Sequence, residues 1–530
     1  ATTAAPAASG TETSAAATEA GSTGNTAESG TITMAMVSAW DSIIPFDTTS
    51  SYSDVVLDLI YDKLVYLKQD GTYEPRLADK WSMSDDNKVL TVHLNENAKW
   101  QDGEPVTADD VVFTMQVYNS PSAAVVRQNN VSPFAGFKEG DDSLQVKAVD
   151  EHTVEMTCAE PTNMDFLFFI KFRDIYILPK HLLGDTPYAD IRNNSYWEKP
   201  IGSGPCIYES QISGERMEFK ANKDYYLKTP QWDRFVVKVV ATPSLLSGLM
   251  NNEIDILAGN VASLQLSDWD MAQQQQNLTC VSTESVGYQY MAINTGKDYM
   301  PAKVRQAIDM AINRDAIVSG LLKGEGEPAF GPFAKSHKYY DDVVNVGYNP
   351  EKAKELLAEA GYPDGFEVTL DAPNDRYMND EQIAQAVAGY LEKVGIKVNL
   401  NLMPKANFFS YIKPFENKSM FLMTGWSDAS GDGLSLMHDM LYTYNREAGD
   451  GGVNRGHYSN AQVDALIDQA FTEMDDTKRG ELVAEADKIS REDYAYIPLH
   501  FEQDTYAIKD TLNYTPRMNK YVYAWEFSYK

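Results

Sequence analysis

Cysteine is scarce. The three in 530 residues, Cys158, Cys206 and Cys280, lie far apart and are odd in number, so their spacing gives no disulfide framework and no cysteine-based metal site. Buried thiols are expected, with room for one bridge. Long apolar runs are also missing. The most apolar stretch, Phe166-Leu167-Phe168-Phe169-Ile170, stops at Lys171, well short of the ~20 residues of a membrane helix. Basic residues are outnumbered, 45 Lys and Arg against 77 Asp and Glu, for a net charge of −32. Such a field repels a phosphate backbone and an anionic bilayer, which excludes nucleic acid as a partner. It does not identify a cationic ligand, because surface acid also keeps a protein soluble.

Signatures of catalysis are missing as well. There is no Gly-x-Ser-x-Gly elbow, no phosphate loop ending in Gly-Lys-Ser/Thr and no His-Glu-x-x-His. His93, His152, His181, His337, His438, His457 and His500 include no pair at the three- or four-residue spacing that puts two imidazoles on one helical face. No metal site and no cofactor are expected. The string 202–205 (GSGP) makes a turn rather than a phosphate loop, since Pro205 removes an amide donor. The run Asp428 to Gly433 has the acids of a calcium loop but no downstream Glu in register. Acids are so numerous that no pair stands out for glycoside hydrolysis, and a carboxylate-dependent hydrolase is the remote alternative.

What is present is organised. Residues 1–30 hold no aromatic and no large aliphatic side chain and cannot offset the entropy of ordering, so they are expected to be a flexible tether. From Thr31 onward the composition changes. Leu90, Val92 and Leu94 alternate as in a half-buried strand; Leu144, Val146 and Ala148, then Val154 and Met156, predict a hairpin about the turn at Asp150 and Glu151. Thr107 with Asp110 predicts a capping box opening a helix. Farther on, Asn349 as N-cap, Pro350 at the first helical position and Gly361 past the end bracket a helix with Ala353, Leu356 and Leu357 inward. A strand at Phe366–Leu370, a helix striped by Ile383, Val387 and Leu391, and a strand from Ile396 predict a right-handed βαβ crossover and a partly parallel sheet. Another helix is expected to start near Ser459.

Several long blocks carry a family resemblance. They are 74–86 (EPRLADKWSMSDD), 100–111 (WQDGEPVTADDV), 202–205 (GSGP), 304–317 (VRQAIDMAINRDAI), 348–365 (YNPEKAKELLAEAGYPDG), Gly425-Trp426 and 458–464 (YSNAQVD), in that order. The pattern resembles the peptide/nickel class, family 5, of bacterial extracellular solute-binding proteins, the ligand-capturing components of ABC importers. The resemblance implies an α/β, two-lobed periplasmic-binding-protein-like fold with an extra small domain and a hinge between lobes. Mapped here, domain I is 31–49, 198–285 and 490–530, domain II is 50–197, and domain III is 286–489. It further implies a monomer working with membrane permease subunits on the extracellular face. Because the chain begins at Ala1 without Met, an export segment removed beforehand is expected, and the resemblance, with a linker like residues 1–30, implies a lipid anchor on a Cys preceding residue 1.

A captured peptide needs both charged ends neutralised in a closed cleft. By the family pattern, Arg376, followed by Tyr377, stands where an arginine holds the carboxylate, in a fork suited to a bidentate grip. The amino-end acid of that pattern lies three residues after the tryptophan. Here Trp426 is followed by Ser427, Asp428 and Ala429, so Asp428 comes one residue early and recognition of a free amine is put in question. Trp426 is expected to wall the cleft. Ser50, Ser51 and Tyr52 are expected at the crossing between domains I and II. A short peptide or peptide-like solute is the first expectation; a nickel chelate, haem, a glutathione-like compound or an oligosaccharide is the alternative.

Overall fold

The computed structural model describes residues 30–67, 73–258, 261–296, 300–335, 337–340, 347–412, 419–427, 433–446, 450–517 and 522–530. The expected tether and Asp428 therefore lie outside the described residues.

Two long antiparallel strands, Leu278–Ile293 and Ile497–Lys509, run through the middle of one mixed sheet. On one side they continue into strands Ile256–Leu257, Thr31–Met36, Arg234–Val239, Arg216–Ala221 and Cys206–Ile212; on the other into Phe421–Ser427, Phe366–Pro373 and Ile396–Met403. The two halves face different cores. Ile32, Met34, Phe219 and Tyr506 belong to the N-terminal core, and Met291, Ile308, Val387 and Ile497 to the C-terminal one. The crossing pair is interrupted where the halves meet: Glu284 pairs with Gln503, the next pairing is Tyr288 with Phe501, and the ladder loses register between them. A break of this kind lets two rigid pieces of sheet bend against each other.

A separate four-stranded antiparallel sheet, in the order Ala78–Met83, Val89–Leu94, Thr153–Thr157, Val146–Ala148, forms the small α/β unit with helix Ala108–Asn119. The Thr107 amide donates to Asp110 Oδ2 at 2.8 Å, as the capping box predicts. The hairpin strand starts at Val146 rather than at the expected Leu144. Both backbone groups of Leu144 are taken by the Gln116 side chain, at 3.2 and 3.0 Å, and cannot join the ladder.

In the C-terminal half local signals and structure coincide. Asn349 Oδ1 accepts the Lys352 amide at 2.9 Å, helix Pro350–Glu359 follows, and Gly361 takes φ +93° beyond its end. Strands Phe366–Pro373 and Ile396–Met403 run parallel around helix Asp380–Glu392. The later helix is Ala461–Thr472, capped by Asn460 rather than Ser459 because the Asn460 carboxamide accepts the Gln462 amide at 2.9 Å. Cys158, Cys206 and Cys280 are all free thiols, Cys280 only half-buried, and no bridge forms.

The 202–205 string is a clasp between elements. The Gly204 amide donates to the Ile60 carbonyl at 2.9 Å, the Ser203 hydroxyl accepts the Asp62 amide at 3.1 Å, and the Gln101 side chain binds Gly204 O and Cys206 O at 3.2 and 2.8 Å. A Cβ on Gly202 would stand 1.8 Å from the Ile60 carbonyl oxygen, a backbone atom that cannot swing away. Gly202→Ala is accordingly expected to destabilise the N-terminal lobe by about 3 kcal/mol or more, the upper range for overpacking. Urea denaturation followed by circular dichroism reads it, and a midpoint equal to wild type would contradict the clasp.

His500, on the second crossing strand, is 2% exposed. Burial pushes its imidazole down to about 4, with Glu502 opposing weakly, so the folded protein holds it neutral. The unfolded chain takes up the proton near pH 6.5. As pH falls from about 6.5 to about 4, unfolding binds a proton that the native state refuses, and stability is lost by up to about 3 kcal/mol. His500→Gln is expected to flatten stability against pH in that window, and an unchanged slope would reject the assignment.

Candidate functional site

Helix Asp380–Glu392 begins with a carboxylate that organises the turn before it. Asp380 Oδ2 accepts the amides of Arg376 and Tyr377 at 2.8 and 3.0 Å, and Asp380 Oδ1 accepts that of Glu381 at 2.9 Å. Asn379, at φ +52°, turns the chain and ties its carboxamide to the Leu321 carbonyl at 2.8 Å. This turn follows strand Phe366–Pro373, whose parallel neighbour Phe421–Ser427 ends in Gly425, Trp426 and Ser427. The carboxyl ends of two parallel strands thus deliver Arg376, Tyr377, Trp426 and Ser427 to one edge, the place where open α/β sheets hold ligands.

Tyr377 binds the two strand ends together. Its hydroxyl accepts the Gly425 amide at 2.9 Å, and its ring lies so close that a Cβ on Gly425 would sit 2.9 Å from Tyr377 Cε1. Glycine before the tryptophan is therefore a packing requirement of Tyr377. The Arg376 guanidinium lies over that same ring, 5.0 Å from its centroid. Arg376 keeps open solvent contact, yet burial among protein atoms opposes its charge, and only the nearby Tyr377, Tyr52, Glu502 and Asp380 oxygens raise its pKa above the usual arginine value.

The N-terminal lobe contributes Tyr52 to the surroundings of Arg376. Ser50 precedes helix Ser51–Ile60, and Tyr52 stands in its first turn, half-buried. Burial raises the Tyr52 hydroxyl above its ordinary value, and the Arg376 guanidinium pulls it back, which puts the two side chains within electrostatic reach of each other. Ser51 is exposed beside it, and the Ser50 amide is engaged by Thr48 Oγ1 at 3.0 Å. Trp426 is half-buried against a C-terminal core that includes Tyr288, Tyr290 and Leu422. Arg376 and Tyr377 thus lie together at the strand ends that carry Gly425, Trp426 and Ser427, with Tyr52 of the other lobe within electrostatic reach of Arg376 and Ser50 and Ser51 next to Tyr52 in the chain; Asp428 lies outside the described residues.

Glu502 is the residue that sequence reasoning missed. It sits at the break in the crossing strands, close enough to act on Arg376, Tyr377 and His500, and accepts Gln289 Nε2 at 3.4 Å. No motif surrounds it; only the interrupted register marks its position. Among the described residues no group of three or more His, Cys, Asp or Glu side chains could hold a metal ion, and no helix is long and apolar enough to cross a membrane. The side chains at this edge offer a cationic fork, phenols, an indole and a carboxylate, groups suited to holding a polar solute.

Residues 72–448 match the family described as bacterial extracellular solute-binding proteins, family 5 middle region. The chain belongs to that family. The oligopeptide-binding protein AppA of Bacillus subtilis strain 168 is 26% identical over 505 residues, covering 89% of this chain and 87% of that protein. Heme-binding protein A of Haemophilus influenzae is 28% identical over 459 residues, covering 83% and 81%. Among solved structures, NikZ from Campylobacter jejuni in complex with Ni(L-His) superposes with a TM-score of 0.79 at 22% identity, covering 94% of this chain and 99% of that one, and attests the fold alone. Like these relatives, this solute-binding protein has two α/β lobes with a cleft between them.

Proposed function

We propose that this solute-binding protein is the capturing component of an ABC importer and closes its lobes around a short peptide or peptide-like solute. Arg376 carries the reading: a guanidinium set over an aromatic ring, exposed to solvent and within electrostatic reach of Tyr52 of the other lobe, is suited to receive a carboxylate bidentately. Trp426 and Tyr52 supply apolar walls, and Ser50, Ser51 and Ser427 supply hydroxyl and main-chain groups. Ligand touches both walls only in the closed state, so closure and capture are one equilibrium. A curated relative that binds oligopeptides over most of its length supports the peptide class. The reading includes the three-part division into 31–49, 198–285 and 490–530; 50–197; and 286–489. Its last crossing is best drawn at Glu502, since Ile497 and Leu499 pack into the C-terminal core. It also includes a monomer, permease subunits as partners, and a lipid anchor on a Cys before residue 1.

A second reading, a carboxylate-bearing solute without the amino end of an ordinary α-linked peptide, is favoured by Ala429 at the family's amino-end position. Glutathione-binding and haem-binding relatives are of this kind by name. Native mass spectrometry of the purified protein identifies a retained solute, and thermal shift with di- to hexapeptides and with glutathione ranks the classes. Stabilisation by peptides is expected; stabilisation by glutathione alone would select the second reading, and no shift from either would reject both.

A further inference from the structure

Away from Arg376 the lobes meet a second time, through charge. Asp165 opens the π-helical turn Phe166–Lys171 on the small α/β unit, and Tyr73 holds it there by a hydroxyl donating to Asp165 Oδ1 at 3.1 Å. Its other oxygen accepts Lys338 Nζ at 2.9 Å, and Arg479 Nη1 stands 4.0 Å away. Lys338 and Arg479 both belong to the C-terminal lobe. Lys338 Nζ also reaches Asp476 at 2.8 Å, while Arg479 is fixed by two hydrogen bonds to the Glu473 carbonyl, at 3.2 and 2.8 Å. Tyr339 closes the circuit, donating to Asp476 Oδ1 at 2.8 Å and accepting from Arg479 Nη1 at 3.2 Å. Beside it, Phe166 of the N-terminal core meets Phe471 of a C-terminal core edge to face, with centroids 5.3 Å apart.

We propose that Asp165 and the Lys338–Asp476–Arg479 cluster form a latch that holds the lobes closed independently of the solute. Three observations converge on it. The partners come from two cores that share no side chains, so the ion pair exists only while the lobes are together. The C-terminal half is braced by its own hydrogen bonds and needs no rearrangement to receive Asp165. Beside the ion pair lies a hollow of about 300 Å³ lined by Trp81, Met83, Met164 and Met474 together with Asp165 and Asp476 themselves, so the seam is not filled by packing there and charge carries a larger share of it. Lys338 and Asp165 are about a third exposed, at 32% and 28%, which leaves the pair open to screening. The latch would raise affinity for any solute by raising the closed population, and would slow release without touching what is recognised.

The inference rests on the two-lobe closing motion in the proposed function but on no particular solute, so its test uses solute-stripped protein. Small-angle X-ray scattering of wild type, Asp165→Asn and Lys338→Met is compared at low salt and at roughly 1 M NaCl, where the Debye length is about 3 Å. Wild type is expected to expand with salt. Each variant is expected to be already expanded at low salt and insensitive to added salt, with a closed-to-open ratio about three- to fivefold below wild type, as for an ion pair of this exposure. The double variant is expected to match either single one, which separates a broken pair from two unrelated losses. Near-ultraviolet circular dichroism checks that the variants are folded. Wild type fully open at low salt, or variants with wild-type dimensions and salt response, would overturn the latch whatever solute the cleft binds.

Discussion

Replacing Arg376 with Met is expected to weaken solute binding by about 30- to 1000-fold, the range for truncating one member of a charge pair that becomes desolvated on closure. The solute carboxylate would still be buried, now without a partner, and that penalty rather than the lost attraction dominates. Stability of the free protein should hardly change, because the Arg376 side chain is exposed. Arg376→Lys is expected to recover only part of the affinity, since an ammonium cannot form the two parallel hydrogen bonds of a guanidinium fork. Titration calorimetry with the solute found by native mass spectrometry measures this. Undiminished binding by Arg376→Met would remove Arg376 from the site.

The second large effect concerns Arg76, from the most family-like block of the sequence. Arg76 is 1% exposed and paired with Asp62, which is fully buried. Its guanidinium lies between the rings of Tyr66 and Trp525, 4.0 and 3.9 Å from their centroids, and Tyr225 donates to Asp62 Oδ1 at 3.0 Å. Arg76 is thus a core residue in an aromatic cage. Arg76→Met strands the Asp62 carboxylate and is expected to destabilise the N-terminal lobe by about 3–5 kcal/mol, whereas Asp62→Asn together with Arg76→Met should restore much of it. Denaturant midpoints of the single and double variants read this directly. Additive losses would mean that the pair is not coupled.

These residues also mark the limit of what the sequence reveals. The helix at Pro350, the parallel strands around Asp380–Glu392 and the capping box at Thr107 were legible because each signal lies within a few residues of what it builds. Arg376, Tyr377 and the Gly425-Trp426 step were legible only through family resemblance, and their meeting through the Tyr377 hydroxyl was not. Glu502, the Asp62–Arg76 pair and the Asp165–Lys338 contact depend on partners brought together from distant parts of the chain, which no local pattern encodes. The long strand Leu278–Ile293 escaped for a related reason. Its burial changes from alternating to continuous as it passes from one half of the sheet to the other, so neither strand template fits its whole length.

The order of strands in the central sheet has a consequence for how the chain is made. Met34 lies beside Ile256, which lies beside Ile508, and Trp232 Nε1 donates to the Ala524 carbonyl at 2.9 Å. The first strand thus depends on a neighbour more than two hundred residues later, and that neighbour's other edge is filled only by residues near 508. During synthesis the pair Val89–Leu94 with Thr153–Thr157 can form first, while the first strand waits for residues 234–257 and the strand Ile256–Leu257 beside it then keeps an open edge until residues near 508 are made. Long-range pairing of this kind folds slowly and leaves open edges exposed to aggregation. The same delay keeps the growing polypeptide threadable, which suits a chain that must cross a membrane before it closes up.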